Sequence, residues 1–221
     1  DLHPGMLVLI PPSEGKSDEP GTGVFREAAP ELVADAEGVL SHLRDLSGPG
    51  RRKFYGVKDD TKAAAIHEMN RAVLEAPVLP ALERYTGVVY KHLDYPSLRQ
   101  KARARKRLLV VSGLFGLIPG GTPLPRYKLP INPWLARYWR PINDARLKEL
   151  AGRQTVVSLL PQAYAKALSY EPLVHVDFKL KGGKKSAGHF GKAIKGKFLR
   201  FLMEENVQSP DDFHAFTEDG Y

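Results

Sequence analysis

The chain has 221 residues, 43% of them hydrophobic, no cysteine, and 33 basic against 25 acidic side chains, a formal net charge of +8. That is enough chain for one large core or two small ones, while the missing cysteine excludes disulfides, zinc–thiolate sites and thiol nucleophiles. No apolar run reaches the ~18 residues of a membrane-spanning helix and no charged n-region leads into an apolar h-region, so no membrane partner is expected and a cytoplasmic location is.

Asp1–Gly5 is expected to be a remnant or extension ahead of a natural start at Met6, which leaves 6–221 as one domain. Leu7–Ile10 is an apolar run suited to a central strand, ended by Pro11-Pro12, which offers no donors to a ladder. Ser13, Gly15 and Lys16 then fall in a loop at the strand's carboxyl end. Gly15-Lys16-Ser17 invites comparison with a phosphate-binding P-loop, but the first glycine of that motif would fall at Ile10, so the motif fails. Ser13-x-x-Lys16 has the spacing of some Ser/Lys acyl-transfer enzymes, without their companion motifs. Glu31–Leu46 carries Leu32, Val33, Ala36, Val39, Leu40 and Leu43 at helical spacing, with Ser47-Gly48-Pro49-Gly50 as its stop. A second helix is expected over Lys62–Leu74, with Asp59, Asp60 and Thr61 as capping candidates. Gly48-x-Gly50 between the two resembles the hairpin of helix-hairpin-helix motifs, although Gly-Pro-Gly is also an ordinary helix stop.

Pro77–Glu83 reads as a connector, Tyr85–Tyr90 as a short strand and His92–Lys106 as a basic surface helix. Leu108–Val111 is a strand covered on both faces, and the loop after it delivers Arg126, Tyr127 and Lys128. Trp134–Leu150 should be helical in part, broken at Pro141 and restarted by an Asn143/Asp144 cap. Thr155–Leu160 is a further buried strand, turning into Pro161–Lys166. Val174–Leu180 alternates as an exposed strand, Gly182–Ser186 is its turn, Gly188–Glu205 is a helix with Phe198, Leu199, Phe201 and Leu202 on its apolar side, and Pro210–Phe216 a short turn or helix.

Two constellations carry possible chemistry. Three apolar runs, Leu7–Ile10, Leu108–Val111 and Thr155–Leu160, each lead to a loop bearing a Lys or Arg. If they are parallel neighbours, Ser13, Lys16, Arg126, Lys128, Tyr164 and Lys166 meet at one sheet edge, where open α/β sheets hold ligands. With Tyr127, Lys192 and Arg200 they form the candidate set for a small anionic or nucleotide-like ligand, and Arg126, a planar fork, is the expected anchor. Two basic runs without an acid, 99–107 and 179–200, are the second constellation. Arg99, Arg103, Lys106, Lys181, Lys184, Lys185, Lys195 and Lys197 are the candidate contacts to nucleic acid phosphates. The bland reading of each is a solvated surface residue. His67, His92, His175, His189 and His214 are scattered singly, so neither a metal nor another cofactor is expected. No residue is assigned a catalytic role, and whether the protein is an enzyme is left open.

The blocks Met6–Lys16, Tyr85-Thr86-Gly87, Ser112-Gly113-Leu114-Phe115-Gly116-Leu117-Ile118-Pro119, Pro125–Leu129, Leu159–Ala167 and Lys195–Asn206 resemble the peroxide stress protein YaaA family. The resemblance covers essentially 6–221, with Lys16 matching the family lysine across a short insertion. It implies a single α/β domain, a mixed sheet of buried strands flanked by helices, in the arrangement called the cantaloupe fold, with a helix-hairpin-helix-like element and a positively charged cleft. It also implies a role in resisting hydrogen peroxide by limiting damage tied to intracellular iron, together with DNA binding; the two acid-free basic runs add the expectation that double-stranded DNA is bound without sequence specificity. A monomer is expected. An enzyme acting on a small anionic ligand is the alternative function.

Overall fold

Aliphatic side chains run without interruption through Met6–Ile10 (β1), and all five are buried. Such a run has no polar face to turn to water and forms the centre of a sheet. The computed structural model describes residues 5–181 and 188–218. After β1 come helices α1 (Val33–Arg44), α2 (Gly48–Tyr55), α3 (Asp60–Arg71), α4 (Val88–Leu93) and α5 (Lys101–Arg107). The chain continues through β2 (Leu108–Ser112), β3 (Gly116–Pro119), α6 (Pro133–Ala151), β4 (Thr155–Ser158), α7 (Gln162–Ala165), β5 (Val174–His175) and α8 (Gly188–Glu204).

The five strands form one mixed sheet in the order β3-β2-β1-β4-β5. β1 is parallel to β2, with Leu9 opposite Leu109, and parallel to β4, with Leu9 opposite Ser158. β2 and β3 are an antiparallel pair closed by Ser112–Gly116. One continuous hydrophobic core joins the sheet to the flanking helices, so the chain is a single α/β domain. Because β1, β2 and β4 point the same way, their carboxyl ends and the loops that follow share one edge.

Several local expectations meet tertiary override. Tyr85–Tyr90 is not a strand: Tyr85 makes one antiparallel bridge to Lys16, and Val88–Leu93 winds into α4, whose Val89, Tyr90 and Leu93 are buried against α8. His92–Lys106 is not one helix. Asp94 adopts φ 48°, Pro96 follows in a 3₁₀ turn, and the helix restarts only at Lys101. Conversely, α6 runs through Pro141 without a break. Trp139 on one side donates its indole N–H to the Gly113 carbonyl at 2.8 Å. Asn143 on the other accepts from Leu117 N–H at 2.8 Å and donates to the Ala167 carbonyl at 3.1 Å. These anchors hold the helix where one missing backbone N–H would otherwise favour a kink. Gly48 and Gly50 open α2 rather than forming a loop of their own. Within the extended pattern of Val174–Leu180, the strand that joins the sheet is Val174–His175. The expected extension at 1–5, except Gly5, and the turn at 182–186 lie outside the described residues.

Candidate functional site

The loop after β1 is built around a bridge and two short hydrogen bonds. Ser13 Oγ donates to the Gly15 carbonyl at 2.6 Å and accepts from Thr86 N–H at 3.1 Å. Gly87 lets the second segment approach, since a Cβ there would come within 2.7 Å of the Ser13 Cβ. Lys16 turns back over this loop, its Nζ donating to the carbonyls of Ser13 at 3.0 Å and Glu14 at 3.2 Å. The ammonium also lies 4.3 Å from the Tyr127 ring centroid and 5.6 Å from that of Tyr85. Because Ser13 Oγ has other partners, the Ser13-x-x-Lys16 spacing does not produce a Ser–Lys hydrogen bond here.

Arg84 secures the other side. Its side chain is fully buried, and its guanidinium donates to the carbonyls of Leu124, Ser17, Glu19 and Pro20 at 2.7–3.3 Å. Carbonyl dipoles rather than a carboxylate satisfy it, so a positive charge stands behind Lys16 without being neutralised. Lys128 is placed by a two-way clamp with buried Asn70, which donates to the Lys128 carbonyl at 2.8 Å and accepts from its N–H at 2.9 Å. The Lys128 ammonium extends to Glu14 at 3.1 Å.

Ser13, Glu14, Lys16, Tyr55, Tyr127, Lys128 and Tyr164 line a cavity of about 380 Å³. A second cavity of about 310 Å³ adjoins it across Pro12, Ser13, Glu14 and Tyr164, and adds Tyr90, Lys192 and Lys195. Together they present four lysines and one carboxylate, Glu14, which is already paired with Lys128. A third cavity, about 420 Å³ along β5, has only Glu171 and His175 as acidic or basic groups and gathers no cations.

Burial brings the Lys16 ammonium down to about 8, with Lys128 and Arg84 pushing the same way and Glu14 opposing. Burial likewise lowers Lys195, helped by Lys192 and opposed by Asp177. Beneath Lys16, Tyr85 Oη and Tyr127 Oη lie 2.6 Å apart, and Tyr127 Oη is 2.8 Å from Ser112 Oγ. Burial pushes both phenols up, so they stay protonated.

The structure thus brings together Ser13, Lys16, Tyr127, Lys128, Tyr164, Lys192 and Lys195. It does not bring Arg126, Lys166 or Arg200 to these cavities. Arg126 points to Asp18 at 3.1 Å, Lys166 is exposed and its carbonyl accepts two bonds from Arg140, and Arg200 donates to the carbonyls of Leu93 and Asp94. The first basic run is largely engaged with the protein itself. Arg99 pairs with Glu204 at 2.8 Å, Arg103 donates to the Met203 carbonyl at 2.6 Å, and Arg107 to Asn206 at 2.8 Å. Lys197 pairs with Glu218 at 2.7 Å. Lys106 and Lys181 are exposed, while Lys184 and Lys185 lie outside the described residues. Among the described residues no cluster of three or more His, Asp or Glu could hold a metal ion, and no helix is long and apolar enough to cross a membrane.

Sequence reasoning missed Arg84, Asn70 and Tyr55. A lone arginine between Glu83 and Tyr85 carries no local mark of burial; only its proximity to Tyr85-Thr86-Gly87 pointed that way.

Fold and site together define an α/β protein with a lysine-lined cleft at the carboxyl edge of a mixed sheet. The chain belongs to the peroxide stress protein YaaA family, whose sequence model matches residues 6–221. It is similar to the UPF0246 protein SCO2297 of Streptomyces coelicolor, 34% identical over 219 residues, covering 90% of this chain and 83% of that one. A UPF0246 protein of Corynebacterium glutamicum strain R is 30% identical over 233 residues, covering 96% and 92%.

Proposed function

We propose that this member of the peroxide-stress family binds a small anionic ligand, carrying phosphate or carboxylate, in the double cavity at the ends of β1, β2 and β4. The observation that supports it is the excess of four lysines over one carboxylate around one cleft. Lysines on a solvated face repel one another little. Lysines converging on a cavity are held there at a cost, as the lowered Lys16 and Lys195 show, and an anion relieves that cost. Tyr164, whose hydroxyl among the described residues only accepts, from the Ile131 N–H at 3.4 Å, supplies a polar edge to orient the ligand.

Binding of duplex DNA without sequence preference is the other reading, and it draws on the net charge of +8. Its first basic run weighs against it, because Arg99, Arg103 and Arg107 already have protein partners. A DNA-gripping role for Gly48–Gly50 rests on the family resemblance alone.

The test is calorimetric titration with inorganic pyrophosphate. Lys128→Ala and the pair Lys192→Ala/Lys195→Ala are each expected to weaken binding about tenfold, or roughly 1.4 kcal/mol, while Arg126→Ala leaves it unchanged. Pyrophosphate affinity that is unchanged in both the Lys128 and the Lys192/Lys195 variants would remove the proposal.

A further inference from the structure

We propose that Lys16 is a covalent nucleophile, an amine that forms an imine with the carbonyl group of an anionic aldehyde or ketone seated in the cleft. The inference deepens the anion-binding reading and rests on it. The geometry around Nζ carries the argument. A charged ammonium has three donors and no lone pair, whereas a neutral amine has two donors and one lone pair. Nζ has two protein acceptors, the Ser13 and Glu14 carbonyls at 3.0 and 3.2 Å. Among the described residues no carboxylate pairs with it and no donor is directed at it, since Glu14 turns to Lys128 and Ser13 Oγ to Gly15. The neutral form is therefore hydrogen-bonded through both N–H groups with its lone pair unclaimed, in a residue that lines the cavity.

The groups facing Lys16 act in both directions. Glu14 and the faces of Tyr127 and Tyr85 favour the cation, while burial, Lys128 and Arg84 oppose it, and the balance lies near 8 against an ordinary 10.5. At neutral pH that leaves on the order of a hundredfold more free amine than an ordinary lysine carries. Desolvation and a neighbouring cation are the recognised means of activating a lysine toward carbonyl carbon. In the reaction, the Nζ lone pair bonds to the carbonyl carbon and the carbonyl oxygen takes up a proton, giving a carbinolamine. That oxygen then departs as water with a second proton, nitrogen loses one of its own, and a protonated C=N bond remains. The net change is uptake of one proton by the neutral amine and aldehyde and release of one water. Lys128, Lys192 and Lys195 hold the ligand's anionic group.

The experiment treats the full chain near pH 8 with limiting pyridoxal 5′-phosphate, used as a chromophoric anionic aldehyde, followed by borohydride reduction and peptide mapping. The expected result is a predominant single adduct on Lys16, formed at least about tenfold faster than on any other lysine and with a half-maximal rate near pH 8, in keeping with its larger share of free amine. Lys16→Arg, which keeps the charge and is checked by thermal melting, should lose that adduct. Label spread evenly over surface lysines would overturn the proposal. Pyrophosphate binding with Lys16 unlabelled overturns it too, yet leaves the anion site standing. Equal labelling of Lys16 by pyridoxal lacking its phosphate upholds the nucleophile and removes the anion-binding reading beneath it.

Discussion

Lys16 shows how much of one residue's chemistry is set by its neighbours. Its place at the end of β1 followed from the strand pattern, but its depressed proton affinity depends on burial and on Lys128 and Arg84, both distant in sequence. The sign of the consequence is fixed by linkage. The folded state holds the Lys16 proton only up to about pH 8, whereas the unfolded chain holds it to 10.5. Between those values the unfolded state binds more protons, so Lys16 makes stability rise with pH. Below pH 8 the burden of burying the charge is fully present. Denaturant unfolding of wild type and Lys16→Met at pH 7.5 and pH 10 measures this. The wild type is expected to gain on the variant at the higher pH, and an unchanged difference would show that Lys16 titrates as an ordinary lysine.

At the scale of elements, the cleft depends on how closely α8 lies on α4. Gly196 is the contact: a Cβ there would run into the Val89 carbonyl and come within 2.7 Å of the His92 Cβ. Helix propensity alone favours Ala over Gly by up to about 1 kcal/mol. Overpacking against backbone costs about 1–3 kcal/mol, so the contact wins and Gly196→Ala is expected to be destabilising. Since α8 carries Lys192 and Lys195, the same variant should weaken pyrophosphate binding; a raised urea midpoint with unchanged binding would refute both parts. α6 teaches the same lesson from the other direction. Pro141 reads as a break and Asn143 as a cap, yet Trp139 and Asn143 reach across to the β2–β3 hairpin and Ala167 and keep the helix whole. Asp144 likewise accepts from the Ser169 and Tyr170 N–H groups instead of starting a new helix.

For the whole molecule, net charge says less about partners than the placement of each charge. Arg103 and Arg107 fasten α5 to the Met203–Asn206 segment, where the carbonyl end of α8 favours cations. Arg103→Ala is therefore expected to lower stability by about 1 kcal/mol, which for a chain of this size is roughly 2–4 °C in melting temperature. The salt dependence of any duplex binding should stay as it was, because a residue that touches no phosphate releases no counterion. A slope reduced by about one phosphate contact, with the melting temperature unmoved, would restore Arg103 to a nucleic-acid surface.

The amino-acid sequence by itself determined three buried strands, the presence of helices α1 and α3 with the Asp59 cap of the latter, and lysines in the loops that follow the strands. Uninterrupted aliphatic runs must be buried on both faces, and Asp59 caps Thr61 N–H at 2.8 Å through purely local geometry. Family kinship was legible for the same reason, in contiguous blocks such as Ser112–Pro119. Tertiary structure alone decided which cations meet. Ser13, Lys16, Tyr127, Lys128 and Tyr164 share a cavity while Arg126 turns to Asp18, because a loop side chain's direction is set by whatever packs beneath it. Burial of Arg84, the engagement of Arg99, Arg103 and Arg107 by Glu204, the Met203 carbonyl and Asn206, and the continuity of α6 through Pro141 belong to the same class. Each is an interaction between segments far apart in the chain, and no local pattern of residue types encodes which distant carbonyl will be there to accept the bond.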